Sequence, residues 1–160
     1  MSRRDLGTRM LYSPPVGHAR GELYRGANVQ LKAALQAGFW IEAIALCESM
    51  LSDRLEARYS FIAGETEEAR RHKTIGTLLK QLRNNDRQKD NERLRTLYAE
   101  IAEWSKKRNR AVHHAVKLSD GENFESWAER YSSLELAATE GAALLRRLKN
   151  ELERLKRRGI

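Results

Sequence analysis

Both prolines of the 160-residue sequence stand at positions 14 and 15, so residues 16–160 contain none. Proline lacks a backbone donor and breaks or kinks a helix, so its absence leaves nearly the whole chain open to helix formation. Apolar residues recur at steps of three and four, and no useful length of the chain alternates polar and apolar residues. The sequence therefore predicts an all-α fold, an antiparallel helical bundle of about four to five helices with a long C-terminal helix.

Glycines and polar clusters divide the chain into an arm and a helical domain. Residues 1–27 hold both prolines and four of the ten glycines, which predicts an irregular N-terminal arm. Residues 28–160 form the predicted helical domain. We call the line of apolar residues along one face of a predicted helix its apolar lane. All three tryptophans fall on or beside such lanes, which favours core packing for them. The lanes and their capping residues predict helices over about 28–37, 39–62, 66–84 and 90–116, and from Asn123 to the C-terminal end.

Charge and cysteine content restrict the partners and the compartment. Thirty Lys and Arg against 22 Asp and Glu give a net charge of +8, which favours an anionic partner: RNA, DNA or an acidic protein. The single cysteine, Cys47, lies in an apolar lane, which predicts a buried thiol in a reducing compartment. No apolar run is long enough to span a membrane. The first arginines are not followed by the apolar segment that a signal peptide contains. We therefore expect a cytoplasmic protein with no membrane partner.

The fourth predicted helix contains a charge where its apolar lane requires a hydrophobic residue. Arg108 follows Trp104 at a step of four and precedes Ala111 at a step of three. A guanidinium stays protonated, so burying it without a partner is costly. Glu48 lies beside the core lane of the second helix, which predicts a Glu48–Arg108 pair. Two interpretations stay open: a structural salt bridge, or a cleft that receives an anionic ligand.

The residues after Arg108 favour phosphate chemistry. Asn109 and His113 are four apart and share a helix face, whereas Arg108 and His113 are splayed by about 140° on an ideal helix. A site that joins them needs a bend, a long reach by Arg108 or a second subunit. Histidine can move the protons when a 2′-hydroxyl attacks its own phosphate, and arginine can stabilise the developing charge. Asn109 would orient the phosphate or the imidazole, and this scheme needs no metal and no cofactor.

Basic residues around these positions extend the candidate site. Side chains that we expect to bind phosphate are Lys106, Lys107, Arg110 and Lys117. His114 is an alternative to His113 as the working histidine. Arg146-Arg147 and Lys156-Arg157-Arg158 either extend this basic surface or keep the last helix soluble.

The string Arg108-Asn109-Arg110-Ala111-Val112-His113 resembles the R-N-x-x-x-H motif of HEPN (higher eukaryotes and prokaryotes nucleotide-binding) domains. Its place late in a long helix of a helical bundle also agrees with that superfamily. The resemblance implies a metal-independent endoribonuclease of toxin or phage-defence type, acting as a homodimer with Arg108 and His113 as the catalytic pair. It also implies an acidic residue on an earlier helix, for which Glu48 is the first choice and Asp53 the second.

The substrate implied by the resemblance is RNA, with tRNA and mRNA as candidates, and an antitoxin or defence-system protein is an implied partner. The chain departs from one pattern of the superfamily. Toxins silenced by nucleotidylation often carry a tyrosine two residues after the motif histidine, where this chain has Ala115. Two other functions stay open: a non-catalytic nucleic-acid or nucleotide-binding module, and a protein–protein adaptor that uses the C-terminal helix.

Overall fold

The structure is a computed structural model that describes residues 14–64, 73–86, 91–117 and 126–159, with side chains from residue 19 onward. Within these ranges the chain is all-helical, which confirms the predicted fold class and the long C-terminal helix. None of the described helices is long and apolar enough to cross a membrane. The five helices, in chain order, are α1 (Pro14–Ala37), α2 (Trp40–Ala63), α3 (Ile75–Asn85), α4 (Glu92–His113) and α5 (Trp127–Arg157).

Helix α1 begins at Pro14, so the prediction that residues up to 27 are irregular was wrong over residues 14–27. Proline is tolerated in a first helical turn, where the backbone N–H has no intrahelical partner. Contacts with α2 then hold the glycine-rich stretch: Arg20 pairs with the carboxylate of Asp53, and the hydroxyl of Tyr24 donates to the carbonyl of Met50 at 3.1 Å. Their order along the two helices makes α1 and α2 antiparallel. Residues 1–13 lie outside the described residues.

Helix α3 begins later in the chain than the predicted start at about residue 66. It begins at Ile75, because Thr74 has an extended backbone and its hydroxyl accepts a hydrogen bond from the N–H of Thr77 at 3.3 Å. The start predicted at Thr66 lies outside the described residues, but Lys73 and Thr74 are not helical. Thr66 and Thr74 are the same kind of capping residue, and the sequence alone does not show which of them caps the helix.

The end of α4 and the start of α5 also differ from the prediction. Helix α4 ends at His113, three residues before the predicted end at Val116. Helix α5 begins after Ser126, whose hydroxyl accepts from the N–H of Glu129 while the Glu129 carboxylate accepts from the N–H of Ser126. This capping box satisfies two backbone donors at once. The predicted start of the last helix at Asn123 lies outside the described residues.

Helices α4 and α5 pack antiparallel along most of their length. Lys107 pairs with Glu140 at 3.5 Å, and seven residues earlier on α4 Glu100 pairs with Arg147, seven residues later on α5. Helix α2 also packs against α5, and α3 contacts α2 and α4.

Helices α2 and α5 begin at the same end of the bundle. Gly38 ends α1 with a φ of 75°, a conformation that favours glycine. The N–H of Phe39 then donates back to the carbonyl of Ala34 at 2.8 Å, and the carbonyl of Gly38 accepts from the hydroxyl of Tyr131 at 3.0 Å. Tyr131 also meets Trp40 edge to face, with ring centroids 6.2 Å apart. The turn between α1 and α2 is thus attached to the first turns of α5.

Close packing in the core joins α4 to α5 at Trp104. This side chain is 1% exposed, and its indole N–H donates to the carbonyl of Ala137 at 2.7 Å. The ring lies against Gly141, where an added Cβ would be 2.7 Å from Cζ2 of Trp104. Glycine at this position therefore permits the close approach of the two helices.

A buried ionic cluster joins α2 to the ends of α3 and α4. The guanidinium of Arg58 donates to the carboxylate of Asp86 at 2.8 and 3.0 Å, and the hydroxyl of Tyr98 donates to the same carboxylate at 3.0 Å. Burial, followed by the charge of Asp86, raises the pKa of Tyr98 well above its ordinary value, so the phenol remains a donor. Hydrogen bonds on both sides of Asp86 compensate the cost of burying its charge.

We expect Gly141→Ala to lower the free energy of unfolding by about 1–3 kcal/mol, because the new methyl group overlaps the Trp104 ring. Gly76→Ala is the matched control, since nothing lies within 4 Å of the Cβ position there. That control should raise the stability by up to about 1 kcal/mol through helix propensity. Denaturant unfolding measures both changes, and an equal effect of the two substitutions would contradict the close packing at Gly141.

Candidate functional site

Arg108 lies in the core lane of α4, one turn after Trp104, and forms the predicted pair with Glu48 of α2. The side chains of Arg108 and Glu48 are 17% and 35% exposed, so the pair is open to solvent mainly on the Glu48 side. The Nε atom of Arg108 is buried and has no hydrogen-bond partner among the described residues. The structure therefore contains a fixed, partly buried cation in a slot that the helix pattern reserves for an apolar side chain.

His113 and Asn109 occupy a different face of the same helix. Both are exposed, and His113 is the last residue of α4. Because α4 is a continuous α-helix from Glu92 to His113, no helix break brings His113 round to Arg108. On such a helix the two side chains project about 140° apart and about 7 Å apart along the axis. The described chain thus joins Arg108 to Glu48 and leaves His113 beside Asn109 on the surface.

Two alternative site residues are engaged elsewhere. Asp53 pairs with Arg20 and accepts a hydrogen bond from the hydroxyl of Tyr24 at 2.7 Å, so it anchors α1. Burial and that hydrogen bond to Asp53 raise the pKa of Tyr24 above its ordinary value. His114 is half-buried and caps the C-terminus of α4. Of the two acidic candidates, the structure places Glu48 beside Arg108.

The four predicted phosphate-binding residues are exposed but do not form one helical stripe. Lys106 pairs with Glu103 at 2.8 Å, and Lys107 pairs with Glu140. Arg110 is exposed on the last turn of α4. On a continuous helix the spacings of three and four would align Lys117 with Arg110 and His113. Lys117 lies beyond the end of α4, so this alignment does not form. Without the helical hydrogen bonds, Lys117 depends on other contacts for its position.

Arg130, on the first turns of α5, holds the segment that contains Lys117. The sequence does not predict this role. Its Nη1 donates to the carbonyl of His114 and, at 2.5 Å, to the carbonyl of Lys117. The same guanidinium therefore ties down the segment that follows the candidate histidine. The one sequence signal at Arg130 is that it follows the N-cap Ser126 by four residues. This spacing does not show which distant carbonyl groups the side chain reaches.

Large apolar side chains are exposed at the end of the bundle that carries His113. Phe39 is 61% exposed, Ile41 52%, Val116 85% and Trp127 59%. The prediction of core packing holds for Trp104 but was wrong for Trp127, whose ring instead meets Tyr131 with centroids 6.2 Å apart. Trp127 is the first residue of α5, at the end of the bundle where α4 stops. We call Phe39, Ile41, Val116 and Trp127 the apolar end surface.

The geometry gives little support to a cysteine nucleophile or to a metal site. Cys47 is fully buried, and burial raises the pKa of its thiol to about 12, which disfavours the thiolate that a nucleophile requires. In the part of the chain that the structure describes, no group of three or more His, Cys, Asp or Glu side chains is arranged to hold a metal ion.

Comparisons of the chain with models of known families, with characterised proteins and with solved structures give no match. The resemblance to HEPN domains therefore rests on the Arg108–His113 motif and on its place near the end of α4 in a helical bundle.

We expect a double-mutant cycle with Glu48→Gln and Arg108→Gln to give a coupling energy of about 1–2 kcal/mol in unfolding, between the values of exposed and buried pairs. Glu140→Gln with Lys107→Gln is the control cycle on the same helix, and its exposed pair should couple by less than about 0.5 kcal/mol. Equal coupling in the two cycles would mean that Glu48 does not hold Arg108 in place.

Proposed function

We propose that this protein is a metal-independent endoribonuclease of toxin or phage-defence type, whose site is completed by a second copy of the chain. The observation that carries the proposal is Arg108, a guanidinium fixed by Glu48 in the core lane of α4, within the same motif as the exposed Asn109 and His113. An imidazole can transfer the protons of cleavage through a 2′-hydroxyl, a planar cation can stabilise the phosphate charge, and an amide can orient the phosphate.

The proposed reaction is an internal transfer at one phosphate of RNA. The 2′-oxygen forms a bond to phosphorus, the bond from phosphorus to the 5′-oxygen breaks, and the products are a 2′,3′-cyclic phosphate and a free 5′-hydroxyl. His113 accepts the proton of the attacking hydroxyl or donates one to the leaving oxygen, and water exchanges the other proton. Arg108 stabilises the negative charge that builds up on the phosphate oxygens, and Asn109 orients the phosphate.

A second copy is part of the proposal because one chain separates the two main groups. Along α4, the side chains of Arg108 and His113 project in directions about 140° apart. A two-fold axis near the ends of two α4 helices would place His113 of one copy toward Arg108 of the other. The apolar end surface supports this arrangement, because its exposed apolar side chains are available for contact with a second copy. Its residues lie at the same end of the bundle as His113.

The partners proposed with this activity are RNA, with tRNA and mRNA as candidate substrates, and an antitoxin or defence-system protein that controls the enzyme. A net charge of +8 supports an anionic substrate. A cytoplasmic location is part of the same proposal, since RNA substrates are found there. Lys106, Lys107, Arg110 and Lys117 lie near the catalytic motif and would contact the phosphates on either side of the cleaved one.

We expect the wild-type protein to cleave total RNA or purified tRNA in EDTA and to leave 2′,3′-cyclic phosphate ends. His113→Ala should lower the rate by at least about 100-fold, because it removes a proton-transfer group. His114→Ala is the matched control and should retain most of the activity. A 2′,3′-cyclic phosphate blocks labelling of the 3′ end of the product. The ends are therefore identified by 3′-labelling that succeeds only after the cyclic phosphate has been removed.

Loss of activity in His114→Ala alone would move the catalytic role to that residue. If wild-type and His113→Ala proteins both bind RNA in a gel-shift assay without cutting it, the protein is a binding module and the ribonuclease proposal fails. If neither variant cuts or binds RNA, Arg108 and Glu48 form a structural ion pair, and an adaptor role for α5 takes precedence.

We expect subunits that are inactive separately to complement each other when mixed. In a mixed dimer of Arg108→Gln and His113→Ala chains, one site keeps an arginine from one copy and a histidine from the other. Random exchange should restore up to about a quarter of the wild-type activity. Sites built within single chains would show no recovery, because each chain lacks one group.

Ile41→Glu, added to both chains, is the control for this experiment. A charge in the apolar end surface should prevent association and abolish the recovery, whereas Val29→Glu, at a residue 69% exposed on α1, should not. Light scattering reports the oligomeric state of each mixture. A monomeric wild-type protein with full activity would contradict the shared site.

A further inference from the structure

The C-terminal part of α5 carries most of the excess positive charge of the chain. Residues 146–158 include seven basic and two acidic residues, a net charge of +5 out of +8 for the whole sequence. Along this stretch, Arg147, Arg154 and Arg158 are seven and four residues apart, so their side chains leave α5 within about 20° of one direction. This spacing produces a row of guanidinium groups along one face of the helix.

Two adjoining grooves follow this row. The first, of about 580 Å³, lies between the start of α4 and α5 and is lined on its basic side by Arg93, Arg147 and Arg154. The second, of about 710 Å³, continues toward the end of α5 and includes Arg157 and Arg158. Both grooves also contain Asn150, whose amide can donate and accept hydrogen bonds. We call the two together the basic groove.

Carboxylates beneath the basic groove hold two of its arginines in place. Arg147 pairs with Glu100 of α4, and Arg154 pairs with Glu151 of α5. Glu151 is only 7% exposed, and the hydrogen bond from Arg154 holds the pKa of its carboxyl below the ordinary value, so it stays ionised. The side chains of Arg147 and Arg154 are 50% and 28% exposed, which leaves N–H groups available to a ligand. A guanidinium already fixed by a carboxylate loses less conformational entropy when it binds an anion.

The acidic residues of the basic groove do not cancel its charge. Glu151 is buried and directed to Arg154, while Glu92 and Glu153 line the groove and are exposed. Against these three carboxylates the lining contributes six basic side chains, Arg93, Arg147, Lys149, Arg154, Arg157 and Arg158. Charge complementarity therefore selects an extended anion with several charges in a row rather than a single small one.

The basic groove lies far from the candidate catalytic residues. Arg93 lies in the first turn of α4, and His113 is its last residue. The twenty helical residues from one to the other correspond to about 30 Å. We propose that the basic groove binds the phosphate backbone of an RNA strand and anchors it at the end of the bundle opposite His113. The choice of RNA among polyanions rests on the proposed function, and the anchoring contact itself is independent of cleavage.

The test uses full-length His113→Ala protein, which should not cut its ligand, and a fluorescein-labelled 20-nucleotide uridine strand. We expect the triple variant Arg147→Gln, Arg157→Gln, Arg158→Gln to bind at least about tenfold more weakly at 0.1 M KCl. Loss of three phosphate contacts should also reduce the slope of log affinity against log salt by about 2. Arg154 is left intact because its removal would strand the buried Glu151.

The matched control is Lys32→Gln, Lys80→Gln, Arg83→Gln, which removes the same charge from exposed positions on α1 and α3. It should change the affinity by less than about twofold, and thermal melts should show that both triple variants fold. Equal weakening by the two triples would overturn the proposal, because bulk charge would then explain binding. Unchanged binding in the groove triple would overturn it too and point to an acidic protein as the ligand of the basic groove. If the wild-type protein does not cut RNA but the groove triple weakens binding, the ribonuclease proposal fails and the basic groove stands.

Discussion

The contact between Trp104 and α5 determines where the charged groups of α4 lie. Because Gly141 has no side chain, the indole ring lies against the backbone of α5, and its N–H reaches the carbonyl of Ala137 at 2.7 Å. This contact fixes both the rotation of α4 about its axis and its register along α5. Arg108, one turn later, is then held at the inner side of α4, where Glu48 of α2 neutralises it. A different rotation of α4 would expose Arg108 and bury its neighbours.

Packing alone does not account for an arginine in that slot. Replacing a buried ion pair by apolar side chains of similar volume is often neutral or stabilising, and the unpartnered Nε of Arg108 adds a further cost. The pair is also only partly withdrawn from water, since Glu48 remains 35% exposed. A cation that is fixed in direction yet reachable from one side has the properties needed to stabilise a developing negative charge. The energetic argument and the motif therefore point to the same residue.

Features that depend on helix periodicity could be predicted from the sequence, and those that depend on distant contacts could not. The lanes of α2 and α4 reveal the helical fold, the break at Arg108 and its pairing with Glu48 before any coordinates are known. The start of α1 depends instead on Asp53, some thirty residues further along the chain. Arg130 likewise acts through carbonyls that no spacing connects to it. Spacing also indicates which way Trp127 faces, but not whether neighbouring helices extend far enough to cover it.

The unbroken course of α4 from Glu92 to His113 has consequences at both of its ends. A continuous helix cannot turn His113 toward Arg108, so a shared phosphate must be reached from two copies of the chain, or the two residues must act separately. The same helix carries Arg93 into the basic groove, about 30 Å from His113. A strand held in the basic groove would therefore need to run along the α4–α5 surface, past Lys107 and Arg110, to reach the histidine. If the protein binds and cuts RNA as proposed, a strand of only a few nucleotides would contact one end of the bundle or the other, and only a longer strand would benefit from both.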